Sequence, residues 1–288
     1  MFKIINKYKV LLYLAILGGG NIGEVYSIDI KDEEGNPVEL VIGSSTQGNN
    51  NLGISSLTQV THQNKWYGNT YTINASDSNS RIDTQGTVTI NNGYTLKLIN
   101  NCGACTLYCY NTFTNNGNVI IDNYGRLDLN NISINNGTID INNGALELWN
   151  RAKLNNKGTI TLKGSSFIDI YSNSTLTNTG TIDISNITNL YYWYNDGTFK
   201  LEGGSTFILP KSILEDSKKI GSTYTFNPIT LNGTKDKPVN IVIPKGCKYI
   251  TDIDNDNKGV LFNALEDATG LTFDGDKNNV KFSWQKIK

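Results

Sequence analysis

The chain is poor in the residues that catalysis and metal binding use most often. Of its 288 residues one is histidine (His62), one is methionine and four are cysteine. A single histidine excludes every mechanism that requires two. Lysine and arginine (25) nearly balance aspartate and glutamate (26), so the basic excess typical of nucleic-acid-binding proteins is missing. We expect neither a cofactor nor a nucleic-acid partner.

Long apolar runs are also missing. The longest, residues 10–17, follows three lysines and is too short to span a bilayer as a helix. Valine and serine stand at the −3 and −1 positions of a cleavage site after Ser27. Residues 1–27 therefore predict a secretory signal peptide, with a buried strand or an uncleaved anchor as the alternatives. The mature chain is then secreted or on the cell surface, and has no transmembrane span.

Asparagine and glycine are abundant instead. The chain holds 41 asparagines and 28 glycines, and the remaining sequence is rich in threonine, isoleucine and tyrosine. This composition argues against an all-helical protein and favours short strands joined by turns.

A short phrase recurs along the chain: glycine, usually threonine, then an apolar residue, any residue and a second apolar residue. Its glycines are Gly86, Gly117, Gly137, Gly158, Gly180 and Gly197. The central copies are 20 to 22 residues apart, and the longer first interval contains an insertion. An asparagine stands two residues before the glycine in five successive copies: Asn115, Asn135, Asn156, Asn178 and Asn195.

A fixed period of this kind predicts an all-β, parallel β-helix solenoid with about 21 residues per coil and capped ends. Parallel crossovers are overwhelmingly right-handed, which favours a right-handed coil. The asparagines should stack at a bend and bond along the axis. A β-sandwich or barrel is the rival fold, but it needs no fixed period.

The alternation within each copy predicts which side chains point inward. One internal ladder should contain Val88, Val119, Ile139, Ile160, Ile182 and Phe199. A third apolar position precedes the next glycine and should also face inward, at Phe113, Ile134, Leu154, Leu176 and Trp193.

The ends of the chain depart from the repeat. Residues 28–64 predict an N-terminal cap, in which residues 28–42 form a hairpin and a loop follows. Residues 65–209 predict the regular solenoid. Residues 210–288 predict irregular C-terminal coils or a cap, with strands, long loops and one helix-like stretch at 210–219.

The copies that begin at Gly137 and Gly180, together with the signal peptide, resemble the passenger region of bacterial autotransporters and haemagglutinin-like adhesins. The resemblance covers roughly residues 60–285. It implies a right-handed parallel β-helix displayed on, or released from, a Gram-negative surface. The sequence departs from that family in having no C-terminal membrane barrel. The chain is thus expected to be a fragment, a truncated relative or a protein exported by another route.

Cysteines cluster inside the insertion. Cys102, Cys105 and Cys109 are candidates for a disulfide, because an exported protein meets an oxidising compartment. Unpaired thiols are the first alternative. A zinc site that adds Cys247 or His62 is the second.

Two groups of carboxylates qualify as candidate sites. Residues 252–256 alternate aspartates that could bind calcium, but the spacing fails the EF-hand pattern and favours a solvated turn. Asp140 and Asp183 occupy the same outward position two coils apart, roughly 9–10 Å from each other. That is near the upper limit for an inverting glycosidase, although Thr161 between them favours ordinary surface residues.

Four successive aromatic residues form the last candidate. If Trp193 faces inward, Tyr192 and Tyr194 face outward and could stack on a sugar or pack on a partner. The alternative is that they are isolated surface tyrosines.

These observations predict an exported interaction protein rather than an enzyme: an adhesin-like autotransporter passenger that presents a rigid solenoid. Its expected partner is a protein or glycan on a host or neighbouring cell. Two alternatives stay open. One is a carbohydrate-active β-helix enzyme, a polysaccharide hydrolase or lyase, and the other is a structural surface-layer component.

Overall fold

The protein is a parallel β-solenoid, as the period predicts. A computed structural model describes residues 26–29, 39–43, 65–75, 80–100, 107–188, 195–212 and 227–285. Successive turns lie about 23 residues apart. The predicted 21 residues fit the central coils, where stacked asparagines are 20, 21 and 22 residues apart.

Three sheets run along the solenoid, and every coil contributes to each of them in its regular part. The first sheet contains β1 (Tyr26–Asp29), β5 (Ser80–Thr84), β8 (Leu107–Cys109), β11 (Arg126–Leu129), β14 (Ala145–Leu148) and β17 (Phe167–Ile170). The second contains β3 (Lys65–Tyr67), β4 (Thr70–Ala75), β7 (Thr95–Asn100), β10 (Asn118–Asp122), β13 (Thr138–Asn142), β16 (Thr159–Gly164), β19 (Thr181–Ile187), β21 (Thr206–Ile208), β23 (Val239–Ile243) and β25 (Val280–Trp284). The third contains β2 (Leu40–Ile42), β6 (Val88–Ile90), β9 (Phe113–Asn115), β12 (Ile132–Asn135), β15 (Lys153–Asn156), β18 (Thr175–Asn178), β20 (Thr198–Glu202), β22 (Ile229–Asn232) and β24 (Phe273–Gly275).

The interior is a set of apolar columns, because alternate residues of each strand face the axis. In the second sheet Ile139, Ile160 and Ile182 lie in register and are fully buried, as predicted. The complete column is Tyr71, Leu96, Val119, Ile139, Ile160, Ile182, Phe207, Ile241 and Phe282.

The predicted ladder is wrong at both of its ends. Val88 pairs with Phe113, and Phe199 pairs with Leu176, so both lie in the third sheet. The repeated phrase thus begins strands of two different sheets. All three sheets present alternate residues to one interior, so the apolar alternation alone cannot tell them apart.

The third sheet corrects two further predictions. Ser133, and not Ile134, faces inward between Phe113 and Leu154. The inward position expected for Trp193 is occupied by Phe199, which follows Leu176 in the column. Trp193 itself lies outside the described residues.

An asparagine ladder runs through the interior edge of the third sheet. Asn115 donates from Nδ2 to Oδ1 of Asn135, Asn135 donates likewise to Asn156, and Asn156 to Asn178, each over 2.7 Å. All four side chains are fully buried and have lost their contact with water. The hydrogen bonds between them compensate each amide for that loss. We call these four residues the asparagine ladder.

Asn195 does not belong to the asparagine ladder, contrary to the prediction. The residue opposite Asn178 in the next coil is Leu201. Asn195 instead bridges to Ile170 of the first sheet and donates from Nδ2 to the carbonyl of Asn227 over 2.8 Å. The phrase at Gly197 follows the one at Gly180 after 17 residues and begins β20 of the third sheet, so the asparagine that precedes its glycine falls at a different corner.

The repeat glycines are required by close stacking of the backbone. A β-carbon on Gly137, Gly158 or Gly180 would overlap the carbonyl oxygen of the repeat glycine in the preceding coil. No larger residue fits there without moving the backbone, and this accounts for the invariant first letter of the phrase.

The N-terminal end differs from the predicted cap hairpin. Strands β1 and β2 pair in parallel with β5 and β6, which belong to two different sheets, and not with each other. The antiparallel pair is β3 with β4, at the end of the second sheet. Residues 1–25 lie outside the described residues, and β1 spans the predicted cleavage site, with Tyr26 and Ser27 before the cleaved bond.

A helix that the sequence analysis missed lies at the C-terminal end. Helix α1 (Lys258–Thr269) buries Leu261, Phe262 and Leu265. The Phe262 ring lies 5.4 Å from that of Phe273 and 5.1 Å from that of Phe282, in the last strands of two sheets. Helix α1 therefore covers the end of the interior. Of the predicted helix at 210–219, residues 213–219 lie outside the described part.

Candidate functional site

The predicted ligand-binding residues Tyr192 and Tyr194 lie outside the described residues, as do Cys102 and Cys105. Cys109 is described: it is a free thiol that faces the interior between Thr84 and Leu129. Burial raises the pKa of the Cys109 thiol to about 12. The disulfide stays a prediction, and a pair between Cys102 and Cys105 is the one that leaves this buried thiol in place.

Asp140 and Asp183 lie in one outward column with Thr161 between them, as predicted. One oxygen of Asp183 accepts a hydrogen bond from the backbone N–H of Ser185 over 2.8 Å, at an irregularity in β19. Neither aspartate lines the pocket described below. The geometry gives this pair no shared ligand site.

The aspartates of residues 252–256 form hydrogen bonds within the turn that precedes α1. Asp254 accepts from the backbone N–H of Asp256 over 2.9 Å, and Asn255 exchanges two hydrogen bonds with the backbone of Phe282. In the described part of the chain no group of three potential metal ligands converges.

Among the described residues, the buried charged side chains lie on the outer face of the first sheet. One column there contains Asp83, Tyr108, Asp128, Glu147 and Asp169, in register on successive coils. The exposed fraction of each of these residues is 8% or less. We call this set the carboxylate column. Stacked carboxylates repel one another, so their burial needs cations or donors close by.

Arg126 supplies positive charge to the centre of the carboxylate column. Its guanidinium lies 3.2 Å from a carboxylate oxygen of Asp128 and 3.1 Å from one of Glu147. One arginine thus contacts two acids on adjacent coils. Asp83 and Asp169 continue the column on either side, one or two coils further away.

Glu147 connects the carboxylate column to two aromatic rings. The indole N–H of Trp149 donates to Glu147 over 2.9 Å, and Tyr171 is a second side-chain hydrogen-bond partner. Burial raises the pKa of Glu147, and Arg126 and the two hydrogen bonds oppose that rise. The pKa of the Tyr171 hydroxyl is raised by burial and by Glu147. The net result is a carboxyl group that holds its proton to higher pH than an exposed one.

The aromatic rings form a column of their own. The backbone N–H groups of residues 110, 130, 149, 171 and 196 each bond to the carbonyl of the preceding coil at the same corner. We call this set the aromatic column; its members are Tyr110, Asn130, Trp149, Tyr171 and Asp196. The rings of Trp149 and Tyr171 stack with centroids 3.8 Å apart and planes 19° apart.

An open pocket of about 400 Å³ lies beside these rings. Three successive coils line it, with Trp149, Asn150, Arg151, Tyr171, Ser172, Asn173 and Asp196. The walls therefore combine aromatic surface with amide, hydroxyl, guanidinium and carboxylate groups.

The sequence contained the signal for these columns. In Leu127-Asp128-Leu129, Leu146-Glu147-Leu148 and Ile168-Asp169-Ile170 an acid stands between two inward residues, at the same place in successive copies. The flanking apolar residues predict the strand, and the acid between them marks the outward column. Trp149 and Tyr171 follow the same triplets directly.

Comparisons of the chain with models of known families, with curated proteins and with solved structures found no match. None of the described helices is long and apolar enough to cross a bilayer.

Proposed function

We propose that the chain is an exported interaction protein, an adhesin-like passenger that presents a rigid solenoid to a protein or glycan on another cell. The observation that supports this proposal is that functional groups are concentrated on one part of the outer surface, the first sheet. The first sheet gathers stacked aromatic rings, an open pocket and buried charge on consecutive coils. A solenoid holds such groups at fixed spacing, since each coil contacts only its neighbours.

A binding experiment tests this function. The chain from residue 28 onward is labelled and applied to cells, immobilised glycans and matrix proteins. Specific, saturable binding is expected. The double variant Tyr192→Ala/Tyr194→Ala should weaken it. Tyr67→Ala is the control: Tyr67 is 60% exposed in β3, and its loss should leave binding unchanged. Absence of binding to every surface tested would contradict the proposal.

A carbohydrate-active enzyme is the second candidate, and one observation favours it. Glu147 has a raised pKa and stands between Asp128 and Asp169 on adjacent coils. Adjacent strands are about 4.8 Å apart, close to the 5–5.5 Å between the carboxyl groups of retaining glycosidases. A carboxyl group with a raised pKa beside a second carboxyl group is the arrangement that general acid catalysis uses.

Release of reducing ends from a polysaccharide panel tests the enzyme. If Glu147 is the acid, Glu147→Gln abolishes release while Asp183→Asn retains it. The reverse result assigns catalysis to Asp140 and Asp183. If the native chain releases nothing, the interaction protein stands as the better account.

A further inference from the structure

The pocket beside Trp149 and Tyr171 has the features of a built site, and its two rings are held rather than loose. Trp149 donates to Glu147 over 2.9 Å, and the rings stack at 3.8 Å. Because each ring covers one face of the other, their edges and outer faces are what the pocket offers. Fixed aromatic surface of this kind packs against the apolar face of a ring-shaped ligand, where its C–H groups lie.

The polar residues of the pocket stand on two equivalent turns, one coil apart. Ala152 donates its backbone N–H to the carbonyl of Trp149 over 2.9 Å, and Ser174 donates to Tyr171 over the same distance. The turns place Asn150, Arg151 and Asn173 at φ values of 50°, 73° and 66°. Left-handed backbone is unusual for arginine, and glycine adopts it without strain.

The charges of the pocket select among ligand classes. Arg151 brings one positive charge and Asp196 one negative charge to the same space. An anionic ligand would meet Asp196 and a cationic one would meet Arg151. A neutral ligand with many hydroxyl groups can accept from the guanidinium and donate to the carboxylate at once. The amides of Asn150 and Asn173 both donate and accept.

We infer that this pocket binds a neutral saccharide, with a sugar ring against Trp149 and Tyr171 and its hydroxyl groups hydrogen-bonded to Arg151, Asn173 and Asp196. Its volume of about 400 Å³ falls in the range of about 300–1,000 Å³ usual for small-ligand pockets. The inference rests on the proposed interaction function and names a ligand class for a site separate in sequence from Tyr192 and Tyr194.

Titration with neutral saccharides tests the site. Calorimetry and tryptophan fluorescence are recorded with glucose, galactose, mannose, N-acetylglucosamine and their disaccharides. At least one is expected to bind saturably. Arg151→Gly and Asn173→Gly remove a side chain where glycine suits the backbone, so the fold should persist. Each is expected to weaken binding about tenfold.

The matched control is Tyr124→Gly, at φ 64° and 65% exposure on another turn, and it should bind like the native chain. If no saccharide binds, the inference is overturned. Equal binding to all three variants places the ligand elsewhere and overturns it as well. Cell or matrix binding that free saccharide does not compete would leave the proposed function standing while this site fails. Competition by the saccharide that binds supports both.

Discussion

The asparagine ladder and the aromatic column are two corners of the same coils, built on opposite rules. The ladder repeats one residue on four coils, and its hydrogen bonds of 2.7 Å run from coil to coil in the interior. The aromatic column changes residue at every coil and lies beside an open pocket. The position that repeats one residue thus bonds the coils to one another. The position that varies places side chains where a ligand can reach them.

The ladder and the aromatic column stand on coils that share one apolar interior. The largest loss of stability should therefore come from a charged residue placed in that interior. Ile160→Asp places a carboxylate between Ile139 and Ile182, where no cation is in register. We expect a loss of more than about 4 kcal/mol and failure to fold. Circular dichroism and thermal melting measure it. Thr161→Lys, one residue later, places a charge outward between Asp140 and Asp183 and should melt near the native temperature or above it. Equal losses in the two variants would contradict the register.

The ladder should be the costlier of the two corners to damage. Asn156→Ala removes its hydrogen bonds with Asn135 and Asn178. The buried Oδ1 of Asn178 loses its donor, and Nδ2 of Asn135 keeps only its bond to the carbonyl of Thr159. We expect a loss of about 3 kcal/mol, measured by urea unfolding. Asn155→Ala, at the neighbouring outward position, should change stability by less than about 0.5 kcal/mol. A cost at Asn156 no greater than at Asn155 would remove the ladder's structural role.

The difference between the corners explains what the sequence could predict. Period and asparagine spacing predicted the solenoid and four ladder members, because stacked coils require the same residue type at the same position in each coil. They failed for Asn195, Val88 and Phe199, where the interval between copies of the phrase changes and the phrase begins a strand of another sheet. Pattern alone cannot place a strand in one of three equivalent sheets.

The candidate site was the less predictable part. Trp149 and Tyr171 differ from the residues at the same position of the adjacent coils. Glu147 repeats its neighbours Asp128 and Asp169 only in charge, so a search for identical residues passes over all three sites. Helix α1 was missed for a related reason: Asn257 makes no side-chain capping bond, and Gly259 stands in its first turn. Its helical form is stabilised by packing of Phe262 on the last strands.

Acid titration should distinguish the carboxylate column, whose Glu147 is bonded to Trp149 of the aromatic column, from the asparagine ladder. The folded chain holds the Glu147 proton more tightly than the unfolded chain, because burial raises its pKa above the ordinary value of 4.5. Stability therefore falls as pH rises from about 4.5 through the raised pKa, by up to about 1.4 kcal/mol per unit of pKa difference.

Glu147→Gln should flatten that slope, as melting temperatures between pH 4 and 8 would reveal. Asp183→Asn, on the outer face of the second sheet, is the control and should keep the native slope. An unchanged slope in Glu147→Gln would mean that the hydrogen bonds and Arg126 cancel the effect of burial.

The smallest effect on stability is expected at the pocket itself. Arg151→Gly relieves a left-handed backbone strain of about 1 kcal/mol and adds about the same cost in unfolded-chain entropy, so urea unfolding should change by less than about 0.5 kcal/mol. Arg126→Gly offers the contrast, since that side chain contacts Asp128 and Glu147 and its loss should cost several times more. If Arg151→Gly were as destabilising as Arg126→Gly, the residue would belong to the structural framework. The contrast between the asparagine ladder, whose side chains hold the fold together, and the pocket, whose side chains are available to a ligand, would then fail at Arg151.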